Sequence, residues 1–116
     1  MKPLFFLILF NISSSFFAQD TNPKKVVDDF FTAFHAKDTT ALKQLCHEDI
    51  VIKTIANTKE GNKLVEAPFQ DFLKSIATIP SNMKFFEKLT DYKVEIDGNL
   101  AHVWTPYEFY VNDTLS

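Results

Sequence analysis

Between Val26 and Phe34 the apolar residues recur at helical spacing. Val26, Val27, Phe30, Phe31 and Phe34 share one stripe, while Lys24, Lys25, Asp28, Asp29 and Thr32 face away from it. Just upstream, Asp20-Thr21-Asn22-Pro23 offers capping side chains and a proline at the first helical position, which predicts a helix start there. A break at Lys37-Asp38 separates this from a second, short helix, capped by Asp38 or Thr39 and carrying Ala41, Leu42, Leu45 and Cys46. His47-Glu48-Asp49 ends it, and Ile50 to Ile55 reads as a strand. Asn57 to Asn62 is a polar turn containing Gly61. Pro68 opens a third helix with Phe69, Phe72, Leu73, Ile76 and Ile79 on one side, and Pro80 stops it.

After Ser81-Asn82 the period turns toward two. Tyr92, Val94 and Ile96 alternate with Lys93, Glu95 and Asp97, and Asp97-Gly98-Asn99 is a hairpin turn. Leu100 to Val111 reads as one long strand. Ala101, Val103, Thr105, Tyr107, Phe109 and Val111 form one face, opposed by His102, Trp104, Pro106, Glu108 and Tyr110. The predicted order is helix, helix, strand, helix, strand, strand: an α+β domain with three helices on a curved antiparallel sheet.

The start of the chain follows a different pattern. Lys2 precedes an apolar run from Leu4 to Phe10, then small polar residues and Ala18. This is the layout of a secretory signal peptide over residues 1–18, leaving residues 19–116 as one small domain. The apolar run falls short of the roughly 20 residues a membrane span needs. No cysteine lies near the cut, which argues against a lipid anchor, and no membrane association is expected after cleavage. The lone Cys46 cannot make an internal disulfide, so the expected setting is bacterial, periplasmic or secreted. The net charge is −3 with no basic stripe, which disfavours nucleic acid as a partner. Thirteen Phe against two Gly predict a packed core, with Cys46 as one of its small hydrophobes.

Chemistry-bearing motifs are sparse. The chain has no P-loop, dinucleotide glycine pattern, zinc pair, serine elbow or paired cysteines, so no cofactor and no metal are expected. His47-Glu48-Asp49 are consecutive and cannot all point one way, which suits a solvated loop better than a zinc site. His35 and Asp49 are the acid–base candidates, with a solvated helix end and loop as the competing reading. Tyr107 shares a strand face with Val103 and Phe109, where a phenol on an apolar wall can fix a ligand or simply sit in a core. Thr54 and Thr105 would add hydroxyls to that wall. Trp104, with His102, Glu108 and Tyr110, makes an aromatic, mixed patch suited to a homodimer interface or to the exposed face of a monomer.

Val26-Val27-Asp28-Asp29-Phe30-Phe31-Thr32-Ala33-Phe34-His35-Ala36-Lys37-Asp38, Leu42 to Val51, and the strand pair Tyr92 to Trp104 together resemble the nuclear transport factor 2-like superfamily. This is a cone-shaped, cystatin-like α+β fold. Within it, the chain looks most like the SnoaL-like and lumazine-binding-like bacterial exported proteins. The resemblance implies a cavity for a small apolar or aromatic ligand between the first and third helices and the inner sheet face. Its expected lining is Phe30, Phe34, Thr54, Phe72, Ile76, Val103, Thr105, Tyr107 and Phe109. Members of the family continue through two further strands. By that standard the turn-like Asn112 to Ser116 predicts a domain lacking its C-terminal hairpin. Aligned with the family's ketosteroid isomerases, the phenol position falls on Phe30 and the base position on Thr54. The protonated carboxyl would lie beyond Ser116, so isomerase chemistry is not expected. The expected function is an exported, non-catalytic small-molecule-binding or accessory domain. The alternatives are a SnoaL-like isomerase, cyclase or dehydratase using His35, Asp49 or Tyr107, and a dimerising interaction domain.

Overall fold

The computed structural model describes residues 22–116. The signal peptide expected over residues 1–18, and the capping candidates Asp20 and Thr21, lie outside that range. Within it the chain is α+β, with three helices and antiparallel strands. Helix α1 runs Pro23–His35, and the Asn22 side chain accepts the Lys24 N–H at 3.1 Å, as the proline at the first position leads one to expect. Helix α2 is Thr39–Leu45, capped by Asp38, whose side chain accepts the Ala41 N–H at 3.0 Å. Helix α3 is Phe69–Ala77, preceded by Pro68.

The joint between α1 and α2 is unusual. Lys37 takes φ +56°, a left-handed conformation that normally falls to glycine at a helix end. Around it, Lys37 N–H donates to the Phe34 carbonyl at 3.0 Å and Asp38 N–H to the Ala33 carbonyl at 2.9 Å, closing the helix in a Schellman motif. The lysine side chain is also occupied. Its Nζ donates to the Pro80 carbonyl at 3.0 Å and the Met83 carbonyl at 2.8 Å, tying the segment after α3 to the end of α1.

The core lies among the helices. Ala33, Leu42, Phe69, Leu73 and Ile76 are buried, and Phe30, Phe34, Ala41, Cys46, Ile50, Ile52 and Phe72 pack against them. Phe34 is the aromatic hub. Its ring centroid lies 6.2 Å from Phe30, 5.7 Å from Phe72 and 4.7 Å from Phe85. Cys46 sits half-buried against this core, and burial pushes its thiol pKa up.

The strands are more numerous and more divided than the periodicity predicts. β1 (Ile52–Thr58) begins two residues later than Ile50 and pairs with β2 (Gly61–Ala67), an element the sequence pattern does not reveal. β3 (Phe85–Leu89) is a further addition, and it pairs with β6 (Tyr107–Val111). β4 (Lys93–Asp97) pairs with β5 (Leu100–Trp104) through the expected turn, where Gly98 takes φ +56°. The single strand expected over Leu100–Val111 is therefore two. Pro106 has no N–H to give the ladder, and the break falls at Thr105-Pro106. Asn112 and Asp113, at φ +49° and +65°, make a two-residue turn into β7 (Thr114–Leu115), which lies against Tyr110 and Val111 of β6.

Both halves of this long hairpin are in register, but not in the same register. Leu89 faces Tyr107, while Lys93 faces Trp104. Thr90, Asp91 and Tyr92 intervene on one side and only Thr105 and Pro106 on the other, so the first strand carries one extra residue. Thr90 bridges the gap, its N–H donating to the Pro106 carbonyl at 2.9 Å and its hydroxyl to the same oxygen at 3.1 Å.

Candidate functional site

The residues expected to line a cavity divide into two groups. Phe30, Phe34, Phe72 and Ile76 belong to the core, the three rings stacked on one another and Ile76 buried. They fill space rather than enclose it, because three phenylalanines at helical spacing on two facing helices pack ring on ring. Val103 and Phe109 are half-buried on β5 and β6, and Thr105 is half-buried at the break between them. Thr54 and Tyr107 are exposed, Tyr107 by 61 %. Thr54 lies opposite Val65 in a hairpin with little packed over it, and Tyr107 opens β6 directly after the Pro106 break. Neither belongs to the core cluster around the aromatic stack.

A groove forms elsewhere, between the flank of α1 and the outer edge of β3. Its volume is about 290 Å³. Asp28, Phe31, Thr32 and His35 come from successive turns of α1, at the boundary between its apolar stripe and its polar face. Phe86, Glu87, Lys88 and Leu89 come from β3, and Tyr92 from the residues that offset the register. Two long-range hydrogen bonds hold the walls together. His35 Nε2 accepts the Glu87 N–H at 2.9 Å, so a helix side chain satisfies the strand edge opposite β6. The Tyr92 hydroxyl donates to Asp28 Oδ1.

These contacts set the electrostatics. With Nε2 accepting, the neutral His35 ring carries its proton on Nδ1, and burial lowers its pKa. Phe86 lies against this ring with centroids 4.6 Å apart. Burial raises the Glu87 pKa, and its carboxylate has no hydrogen-bond or ion-pair partner among the described residues. The Tyr92 phenol is raised chiefly by its hydrogen bond to Asp28, then by desolvation and by the carboxylate's charge. Lys24 Nζ stands 4.7 Å over the Tyr92 ring, at the rim.

Of the acid–base candidates, His35 therefore sits in the groove and Asp49 does not. Asp49 occupies the solvated loop after α2, where its N–H donates to His47 Nδ1 at 3.1 Å and its carboxylate lies 3.8 Å from the same nitrogen. His35, Asp49 and Tyr107 thus line no common groove. The residues expected to form an interface separate as well. His102 and Trp104 share one face of β5 with the Lys93–Glu95 side of β4. On β6 the Tyr110 hydroxyl donates to Glu108 at 2.5 Å, which raises the phenol's pKa. Among the described residues no group of three or more His, Cys, Asp or Glu converges to hold a metal ion.

Asp28, Glu87 and Tyr92 are the site residues that sequence reasoning misses. The one local signal is the spacing of Asp28, Thr32 and His35, which puts them on one helix flank. Compared with family models, with curated proteins and with solved structures, the chain matches none.

Proposed function

We propose that this is an exported small-molecule-binding domain of the nuclear transport factor 2-like type, non-catalytic, with its ligand in the groove between α1 and β3. One observation carries the reading: aromatic rings and partly desolvated polar groups converge on an open groove, where His35 and Tyr92 are already held in place by cross-element hydrogen bonds. Preorganised walls favour binding because little ordering remains for the ligand to impose. A candidate acid and base are both present in Glu87 and His35, but His35 Nε2 is committed to a backbone N–H, which supports binding over turnover.

The test is native mass spectrometry of the protein recovered from its own host, beside a Thr32→Trp variant whose indole would fill the groove. A released mass present in the parent and absent from the folded variant is the expected result. The same mass in both, or none in either, would overturn the reading. In the same sample, Gln19 or Asp20 should be the first residue, and a chain still beginning at Met1 would remove export from the proposal.

A second reading, a homodimer through the sheet face, is favoured by the exposure of Leu100 (72 %) and Trp104 (63 %) on one face of the β4–β5 hairpin. Sedimentation of the parent and of Trp104→Glu separates the cases, a parent dimer and a variant monomer being expected from it.

A further inference from the structure

We propose that the α1–β3 groove selects an organic cation: an ammonium group carried on a single-ring apolar body. The inference rests on the groove being the binding site and adds the class of ligand.

Three features converge. First, the groove holds carboxylate capacity that the protein does not use. Asp28 accepts the Tyr92 hydroxyl through Oδ1, and its Oδ2 has no partner among the described residues. Glu87, half-buried in the wall, has none for either oxygen. A partly desolvated carboxylate without a counter-charge is unfavourable by itself, and a bound cation relieves it. Second, the remaining walls are ring surface. Phe31 and Phe86 flank His35, with centroid distances of 6.0 and 4.6 Å. Aromatic faces attract cations and repel anions. Third, the site already shows this preference within the chain, since Lys24 Nζ sits over the Tyr92 ring instead of pairing with either carboxylate. Lys88 also lies at the groove but makes no ion pair with Asp28 or Glu87 among the described residues. A cavity of about 290 Å³ is small for a drug-sized molecule and suits one ring with a short charged arm.

The experiment titrates the isotope-labelled full chain with phenyltrimethylammonium, benzyl alcohol and benzoate, following backbone amide resonances. Phenyltrimethylammonium should shift the Glu87 and Tyr92 amides saturably, while the neutral and anionic probes leave them in place. Glu87→Gln and Asp28→Asn should each weaken the cation about five- to tenfold, the scale of one charge-assisted contact. Phe86→Ala, at an exposed ring, should weaken it too and serves if a carboxylate variant does not fold. Equal or tighter binding of benzoate or benzyl alcohol at these amides would overturn the cation preference and leave the groove standing. So would cation binding indifferent to all three substitutions. No shift with any probe would overturn both.

Discussion

The helices and the hairpins of this chain treat the same kind of residue in opposite ways. In the helical layer Leu42 is 0 % exposed and Ile76 2 %. In the β1–β2 hairpin Ile55 and Leu64 are directly paired and 62 % and 64 % exposed, and in β4–β5 Ile96 is 65 % exposed. The difference is geometric. A helix needs one apolar stripe covered, and α1, α2 and α3 cover one another. A two-stranded hairpin has two faces and lends little burial to either by itself. Stability therefore resides in the helices, and the hairpins present surface.

The sharpest way to break that contrast is to truncate equivalent side chains in both regions. Leu42→Ala and Ile76→Ala should each cost about 2–5 kcal/mol in a denaturant titration, while Leu64→Ala and Ile96→Ala stay within about 0.5 kcal/mol. Comparable losses in both regions would show that the hairpins are covered in solution. Next in size is the aromatic hub. Phe34→Ala should cost about 3 kcal/mol, and Phe31→Ala, which stands at the margin of the stripe, distinctly less. Equal losses would mean that the ring stack is not the centre of the core.

The Lys37 joint sharpens the contrast at its border, where the segment leading to β3 is tied to the helices. Lys37→Ala loses both bonds to the Pro80 and Met83 carbonyls while keeping the left-handed backbone. Lys37→Gly loses the bonds but relieves the backbone. The glycine variant should therefore melt as the more stable of the two, by about 1 kcal/mol. Identical melts would show that φ relaxes once the side chain is gone.

The smallest effect is a pH dependence at the groove. Burial raises the Glu87 pKa above its ordinary 4.5, so the folded chain binds that proton more tightly than the unfolded chain. Its contribution is fully present below 4.5 and is lost as pH rises through the raised value. Glu87→Gln should then raise Tm at neutral pH, with the gain vanishing in acid. His35 has the opposite sign. Its pKa is lowered from 6.5, so its contribution is present above 6.5 and lost as pH falls through the lowered value. His35→Gln should flatten the melt-against-pH curve on that acidic limb, and an unchanged curve would mean that the imidazole is solvated.

Much of the framework was legible because the punctuation is local. Asn22-Pro23, Asp38 and Pro68 bound the helices as read, whereas α3 ends at Ala77, short of Pro80, and leaves Ile79 outside it; Gly98 and Asn112 sit in the turns as read. β2 escaped because Gly61–Ala67 mixes Asn62, Leu64 and Glu66 on one face with Lys63 and Val65 on the other, leaving no amphipathic alternation to detect. β3 is five residues long, too few for a period to stand out, although Phe85, Glu87 and Leu89 do alternate in burial with Phe86 and Lys88. Pro106 marks the division in the sequence, but the alternation continues on either side of it and reads as one strand. The groove was not legible. Its two closing bonds join residues 64 and 52 positions apart, and nothing near Tyr92 or Glu87 in the chain announces Asp28 or His35.

Counting along the chain has one more implication. Tyr92 is available to Asp28 because three residues span a gap that the opposite strand crosses with two. Remove one of the three and the two sides of the gap become equal in length, taking away the offset that stands Tyr92 against the helix. A change in length of one codon there thus bears directly on the Tyr92–Asp28 contact that closes one end of the groove, without altering any residue of the core.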